Sequence, residues 1–476
     1  MAKPFTAKLF LPEDWGVPRG TPQFFCGRSR FANASGAPSA RRAPFFFGAS
    51  ATRLPRAFLT GFSLSFAGRL AALPPGPFAR LATLLGDTKP GKEPISLAVG
   101  DPSGAVPEFV KEALAKGAAG FGTYPAIIGT QDWRQAAAGW LNRRFALNGA
   151  IDAEKNLLPL NGTREGLFSV LFPLMPETKA GQRPIVAMPN PFYQCYAAAA
   201  LGSGAEPLYV ASQKDNGFLP DFAGLPEETL QRLAAVYICS PSNPEGAVAD
   251  KEYWTRLFRL ADQYDFVVLA DECYADIWFD KEPVCALSSR LGADFKRLLT
   301  FHSLSKRSGL PGLRSGLVAG DAGLIEKFRA FRNIAGPTVP TPLLAASAAC
   351  WRDEAHVAAN RDRYREKMEA AERILGNRMT RPGGGFFLWL DVGNGEEFAL
   401  KAWREQGVRL LPGAYMGRDV FDGRAGGPSL TARVAGRSGH QEKTQSNPGF
   451  SYVRVALVND LSTIMTALER LREILD

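Results

Sequence analysis

The chain has 476 residues, 46% hydrophobic and 22% charged, enough apolar surface for a full core and more than one domain. No apolar stretch reaches the roughly 20 residues that span a bilayer, which excludes a membrane-spanning helix. Its six cysteines form no C-x-x-C pair and have no histidine at ligand spacing, so no metal site is expected and a reducing, cytoplasmic compartment is. The formal charge of +9 does not mark a nucleic-acid binder. Nine Lys/Arg against two acids fall in residues 1–60 and five against three in 418–449, so the remainder is balanced.

Residues 1–65 are rich in Pro, Gly, Ala and Arg and show neither a helical nor a strand period. They are expected to be disordered, and read either as an organelle transit peptide or as translated upstream sequence. Order is expected from Phe66, where apolar residues at helical spacing run to Gly86 around a Pro-Pro-Gly break at 74–76. A short strand follows at 95–99, ending at Gly100. Beyond residue 108, Val/Ile/Leu runs at 184–188, 208–210, 235–239, 266–270, 298–301 and 316–320 alternate with helical stretches. That alternation predicts an α/β fold with a mostly parallel central sheet covered by helices.

A long helical stretch is predicted after the proline-rich segment 337–342, running through Arg373, and then a second strand-bearing region with runs at 385–390 and 452–457. The expected organisation is an N-terminal arm and part of a small domain at 66–108, a large domain at 109–336 and a smaller α/β C-terminal domain at 337–476. Within the last, residues 418–446 form a polar insert rich in Gly, Ser and Arg. Long loops of this kind are functional or disordered. Disorder is expected, and the insert can either cover a pocket or bulge outward.

In open α/β sheets ligands bind beyond the carboxyl ends of the strands, so the residues after each run are the candidates. The run ending at Phe301 leads into S-L-S-K-R-S-G-L-P-G-L-R at 303–314. There Lys306 stands among Ser303, Ser305 and Arg314, an amine beside hydroxyls and a cation that suit a phosphorylated ligand. The run at 266–270 leads into D-E-C-Y at 271–274. Asp271 can hold a pyridine nitrogen protonated or simply cap the next helix, and Tyr274 shares its loop. N-G-T-R-E-G at 161–166 opens a helix, whose free N–H groups at Gly162 and Thr163 suit a phosphate. Asn243, in S-P-S-N-P-E-G at 240–246, reads as a turn former or a donor to a ligand. Tyr193, in P-N-P-F-Y, reads as a stacking aromatic or as core.

The ordered set of these fragments resembles the class I/II aminotransferases of fold type I, over about residues 66–476. The resemblance implies pyridoxal 5'-phosphate as cofactor. Lys306 would carry it covalently and move the proton between substrate carbon and cofactor. Asp271 would pair with the ring nitrogen, Tyr274 and Asn243 with the ring oxygen, and Tyr193 would stack on the ring. Ser303, Ser305, Arg314, Gly162 and Thr163 would hold the phosphate. Arg454, in Y-V-R-V-A-L, would clamp the substrate α-carboxylate, and Gly100 would touch substrate through its backbone. Tyr124, in T-Y-P-A-I-I-G-T-Q-D-W-R, matches a tyrosine that reaches the phosphate of a neighbouring subunit, which implies a homodimer.

Within that family the motifs look most like the bacterial N-succinyldiaminopimelate aminotransferases. This finer resemblance implies lysine biosynthesis, with glutamate as amino donor, 2-oxoglutarate as its product and N-succinyl-2-amino-6-oxopimelate as acceptor. Such carboxylate-rich partners call for extra cations, and Arg164, Arg307 and Arg332 are the candidates, with surface salt-bridge duty expected for at least one of them. The competing readings are an aminotransferase for aspartate or aromatic amino acids, a Cβ–S lyase, or a non-catalytic sensor domain. The last would need an upstream helix-turn-helix, for which residues 1–65 carry no amphipathic helix pair.

Overall fold

The computed structural model describes residue 73 and residues 75–102, 104–419 and 447–475. All described residues belong to the unit Ser65–Asp476. The expectations for residues 1–65, and for all of the insert beyond Asp419, lie outside the described residues.

In chain order the strands are β1 (Ile95–Ser96), β2 (Leu157–Leu160), β3 (Ile185–Asn190), β4 (Glu206–Ala211), β5 (Leu233–Cys239) and β6 (Val267–Asp271). They continue as β7 (Leu298–Ser303), β8 (Gly316–Gly320), β9 (Phe387–Asp391), β10 (Val408–Arg409), β11 (Leu411–Pro412) and β12 (Tyr452–Ala456). Seven of them form one sheet in the order β2-β8-β7-β6-β5-β3-β4, in which only β8 runs against the others. β3, β5, β7 and β8 are buried along their whole length. This is why they read as unbroken Val/Ile/Leu runs: helices cover both faces. The two-residue period sorts the side chains. On β5, Val236 and Ile238 enter the core around Trp133, Trp140 and Trp254, while Ala235 and Tyr237 enter the opposite one around Leu167, Tyr196 and Phe301.

The covering helices show the same logic. Lys251–Tyr264 starts at Asp250, whose carboxylate accepts from Tyr253 N at 2.7 Å, and it buries Trp254, Leu257, Phe258 and Ala261 along one stripe. The predicted long helical stretch is two helices, Thr341–Arg352 and Ala355–Leu375. Leu344, Ala346 and Trp351 of the first pack into the Trp133 core of the main sheet.

A further core gathers β9 and β12, the later part of helix Ala355–Leu375 and the helix Leu461–Leu475. There β11-β12-β9 form an antiparallel sheet, and Arg454 on β12 lies opposite Trp389. The expected strand at 95–99 is shorter, Ile95–Ser96, and pairs in parallel with β10.

Candidate active site

The carboxyl ends of β2, β3, β5, β6 and β7 lie along one edge of the main sheet, and the residues after them line a cavity of about 500 Å³. Lys306 is central to it. It sits on a one-turn helix, Leu304–Arg307, whose first turn is capped by Ser303 Oγ accepting from Ser305 N at 3.1 Å. Its ammonium donates to Gly100 O at 2.7 Å and lies 5.2 Å from the centre of the Phe386 ring. Burial pulls its pKa down to about 8. Gly100 has to be glycine, because a Cβ there would stand 2.5 Å from Phe387 Cζ.

Asp271 ends β6 at the floor of the cavity. Its Oδ2 accepts from Tyr196 OH at 2.6 Å and its Oδ1 from Cys273 N at 3.3 Å. Burial raises its pKa, and it has no cation in an ion pair among the described residues. Tyr196 is in turn stacked on Tyr237, 4.4 Å between centroids at 8°. Tyr193 lines the wall, and its phenol oxygen accepts from Arg164 Nε. Tyr274 is buried between the edges of Phe386 and Phe387 and also faces the cavity.

At one end Thr163, Ser303, Ser305 and Arg314 come together. Arg314, in the left-handed region at φ 49°, bonds Pro311 O at 2.9 Å and Asn161 O at 3.3 Å. Gly162 lies against it at φ 78°, and a Cβ there would be 2.2 Å from Arg314 Nη2. At the other end stands Arg454, 5% exposed. Its Nη1 donates to Asn243 Oδ1 at 3.0 Å, its Nη2 to Ala98 O at 2.8 Å, and its Nε has no partner. The guanidinium lies 4.4 Å from the Phe387 ring centre, and burial pulls its pKa down to about 10.

These donors fit pyridoxal 5'-phosphate. A buried carboxylate without a cation suits a ring nitrogen that gains a proton. The side-chain-free cradle at Gly162, beside Arg314 and the helix start at Thr163, suits a phosphate. An amine of lowered basicity suits a carbonyl carbon.

Of the residues expected at the site, all but Gly162 and Tyr124 line the cavity directly, and Gly162 lies behind Arg314. Tyr124 is fully exposed. Two of the three candidate extra anchors are corrected. Arg307 is 2% exposed, packed against the paired rings of Trp140 and Trp351, and paired with Asp276 and Glu354. Arg332 is 1% exposed and held by Glu165 and Pro337 O. Both turn into the protein because a buried cation keeps its acidic partners. Arg164 alone lines the cavity.

Sequence reading missed Tyr196, Phe386 and Phe387, whose pattern is that of ordinary core aromatics. It also missed that Glu272, Cys285 and His302 converge, with ligand atoms within 4.8 Å of one another. There Glu272 accepts from Cys285 Sγ at 2.9 Å and from Ala286 N at 2.9 Å, and Thr300 Oγ1 meets His302 Nε2 at 2.9 Å.

The family described as aminotransferase class I and II matches residues 92–429. LL-diaminopimelate aminotransferase of Desulforudis audaxviator strain MP104C is 33% identical over 361 residues, 74% of this chain and 90% of that protein. The 4-dedimethylamino-4-oxo-anhydrotetracycline transaminase OxyQ of Streptomyces rimosus is 35% identical over 327 residues, 68% of this chain and 86% of that one. An aminotransferase crystal structure from Neisseria meningitidis Z2491 superposes with a TM-score of 0.77 at 36% identity, covering 86% of this chain and 99% of its own. With a lysine, a buried aspartate and a glycine cradle meeting at the strand ends, the chain belongs to the class I and II aminotransferases, enzymes that depend on pyridoxal phosphate.

Proposed function

We propose that this aminotransferase takes amino groups from glutamate and gives them to N-succinyl-2-amino-6-oxopimelate, on the route through diaminopimelate to lysine. The observation that carries the reading is Arg454. It is a buried guanidinium met only by neutral acceptors, with a free Nε, so a substrate carboxylate is the partner it lacks. Arg164 adds a cation at the wall for a second carboxylate. When bound, pyridoxal phosphate supplies an electron sink for carbanion chemistry. Around it Lys306 Nζ would accept and return the substrate proton, and Asp271 would keep the ring nitrogen protonated. Asn243 and Tyr274 would meet the ring oxygen, Tyr193 would pack on the ring, and Gly162, Thr163, Ser303, Ser305 and Arg314 would hold the phosphate.

The same reading makes the enzyme a homodimer, with Tyr124 serving the partner's site. Its support is the exposure of Tyr124 together with Phe121 and Ile334, at 102%, 68% and 92%. A reducing, cytoplasmic setting is supported by free cysteines at 195, 239, 273, 285 and 350. No helix among the described residues is long and apolar enough to cross a membrane.

The relatives named LL-diaminopimelate aminotransferase favour a second reading, in which the unsubstituted diamino acid is the substrate. One assay separates the two. Purified protein with pyridoxal phosphate is given 2-oxoglutarate and either N-succinyl-LL-diaminopimelate or LL-diaminopimelate, and glutamate is measured, with Lys306→Ala as control. Turnover of the succinylated substrate is expected to exceed that of the free one by tenfold or more, on the order of one unmatched polar group. The reverse ratio selects the second reading. Full activity in Lys306→Ala would remove Lys306 from the chemistry altogether.

A further inference from the structure

Three consecutive residues of the lysine turn are held by one segment. Asn360 Nδ2 donates to the carbonyls of Lys306 and Arg307, both at 3.1 Å. Glu354 accepts from Arg307 Nη2 at 2.6 Å. His356 Nε2 meets Ser308 Oγ at 2.8 Å, and its Nδ1 is fixed by Asp353 Oδ1 at 2.5 Å. The three gripping side chains, and Asp353 that orients His356, fall at 353–360, around the start of helix Ala355–Leu375.

Asn360 is the informative member. Asparagine is a poor helix former because its amide competes with the backbone, yet it sits inside this helix, 5% exposed. The one-turn helix that carries Lys306 is far too short to be stable alone. Its last carbonyls have no partner within it. One side-chain amide donating to two of those carbonyls supplies what a four-residue helix lacks. The same long helix then runs on through Tyr364, Met368, Ala371 and Leu375 into the core that contains β12 and hence Arg454. A single long helix thus touches both the backbone of the lysine turn and the core on which the guanidinium's strand packs.

We propose that Asn360 is a positioning residue for Lys306, fixing the lysine turn so that Nζ stands at Gly100 O and faces the substrate held by Arg454. The inference rests on the reading of Lys306 as the reactive amine, and it adds a residue outside the cavity wall. Arg363 Nη2 donates to Asn360 Oδ1 at 3.3 Å and holds the amide with its donor towards the turn.

The test uses the full chain with Asn360→Ala and with Asn360→Asp, which keeps the volume and the Arg363 contact but loses the donor. In cofactor-free protein, acetylation of Lys306 by acetic anhydride is followed against pH by peptide mass. In both variants the midpoint is expected to move up from about 8 towards that of an ordinary lysine. With pyridoxal phosphate present, kcat is expected to fall roughly tenfold or more while KM for the amino acid stays within about twofold, because Arg454 is untouched.

An unmoved midpoint with unchanged kcat, beside a lowered melting temperature, would make Asn360 a structural strut and overturn the proposal. Should either variant fail to fold, Asn360→Ser, too short to reach both carbonyls, is measured in its place and is expected to shift the midpoint the same way; no shift there also overturns the proposal. Activity surviving in Lys306→Ala overturns the reading of Lys306 and this inference with it. An inactive Lys306→Ala beside unaltered Asn360 variants overturns the inference alone.

Discussion

Asp271 is held in a position that costs the folded chain something. Burial raises its pKa, and hydrogen bonds from Tyr196 and Cys273 offset this only in part. A folded-state pKa above the unfolded one means that the native state binds the proton more tightly. The contribution to stability is therefore present below the ordinary carboxylate range and is lost as pH rises through it to the raised value. At neutral pH the ionised group lowers stability unless a cation joins it. Asp271→Asn keeps the shape and an acceptor for Tyr196 but removes the charge. Cofactor-free Asp271→Asn is expected to melt at a higher temperature than the parent at neutral pH, with the difference closing towards about pH 4. Its transaminase activity is expected to drop by roughly two orders of magnitude, the scale of one lost preorganised electrostatic partner. A lower melting temperature at neutral pH would show that the carboxylate is not the strained group argued here.

Elements deliver these residues because the strands end at or just past their apolar runs. Lys306, Asp271 and Asn243 were legible in the sequence for that reason, since polar residues follow an apolar run at the sheet edge, and Thr163 because N-G-T-R-E-G opens a helix. What was not legible depends on contacts far apart in the chain. Phe387 packs on Gly100 and Arg454, and Arg307 packs against Trp140 and Trp351; neither pairing has a local signature. The same holds for Asn360, 54 positions from the carbonyl of Lys306 that it caps.

The start of helix Thr163–Ser169 shows how an element and a site share one residue. Gly162 precedes it with φ 78°, and no Cβ fits beside Arg314 Nη2. Gly162→Ala has to strain the backbone or displace Arg314, at about 1–3 kcal/mol. The affinity for pyridoxal phosphate, followed by absorbance titration, is expected to weaken roughly ten- to hundredfold with the rest of the fold retained. Unchanged affinity would place the phosphate elsewhere.

Along the sequence, the excess of positive charge and the site residues fall in different stretches. The unit Ser65–Asp476 contains the sheet, both ends of the cavity and the helix Ala355–Leu375, while nine Lys/Arg and two acids lie before it. Removing residues 1–64 leaves a formal charge of +2. If basicity were part of substrate capture, its loss would weaken binding of carboxylate substrates through the long-range field. The buried position of Arg454 argues otherwise, since a short-range, desolvated pair is little affected by distant, screened charge. The truncated chain is therefore expected to lose its salt-dependent retention on heparin while keeping kcat/KM for glutamate within about twofold of the full chain. Retention surviving the truncation would place a basic patch on the catalytic body. A fall in kcat/KM that deepens at low ionic strength would show that the charged segment steers substrate after all.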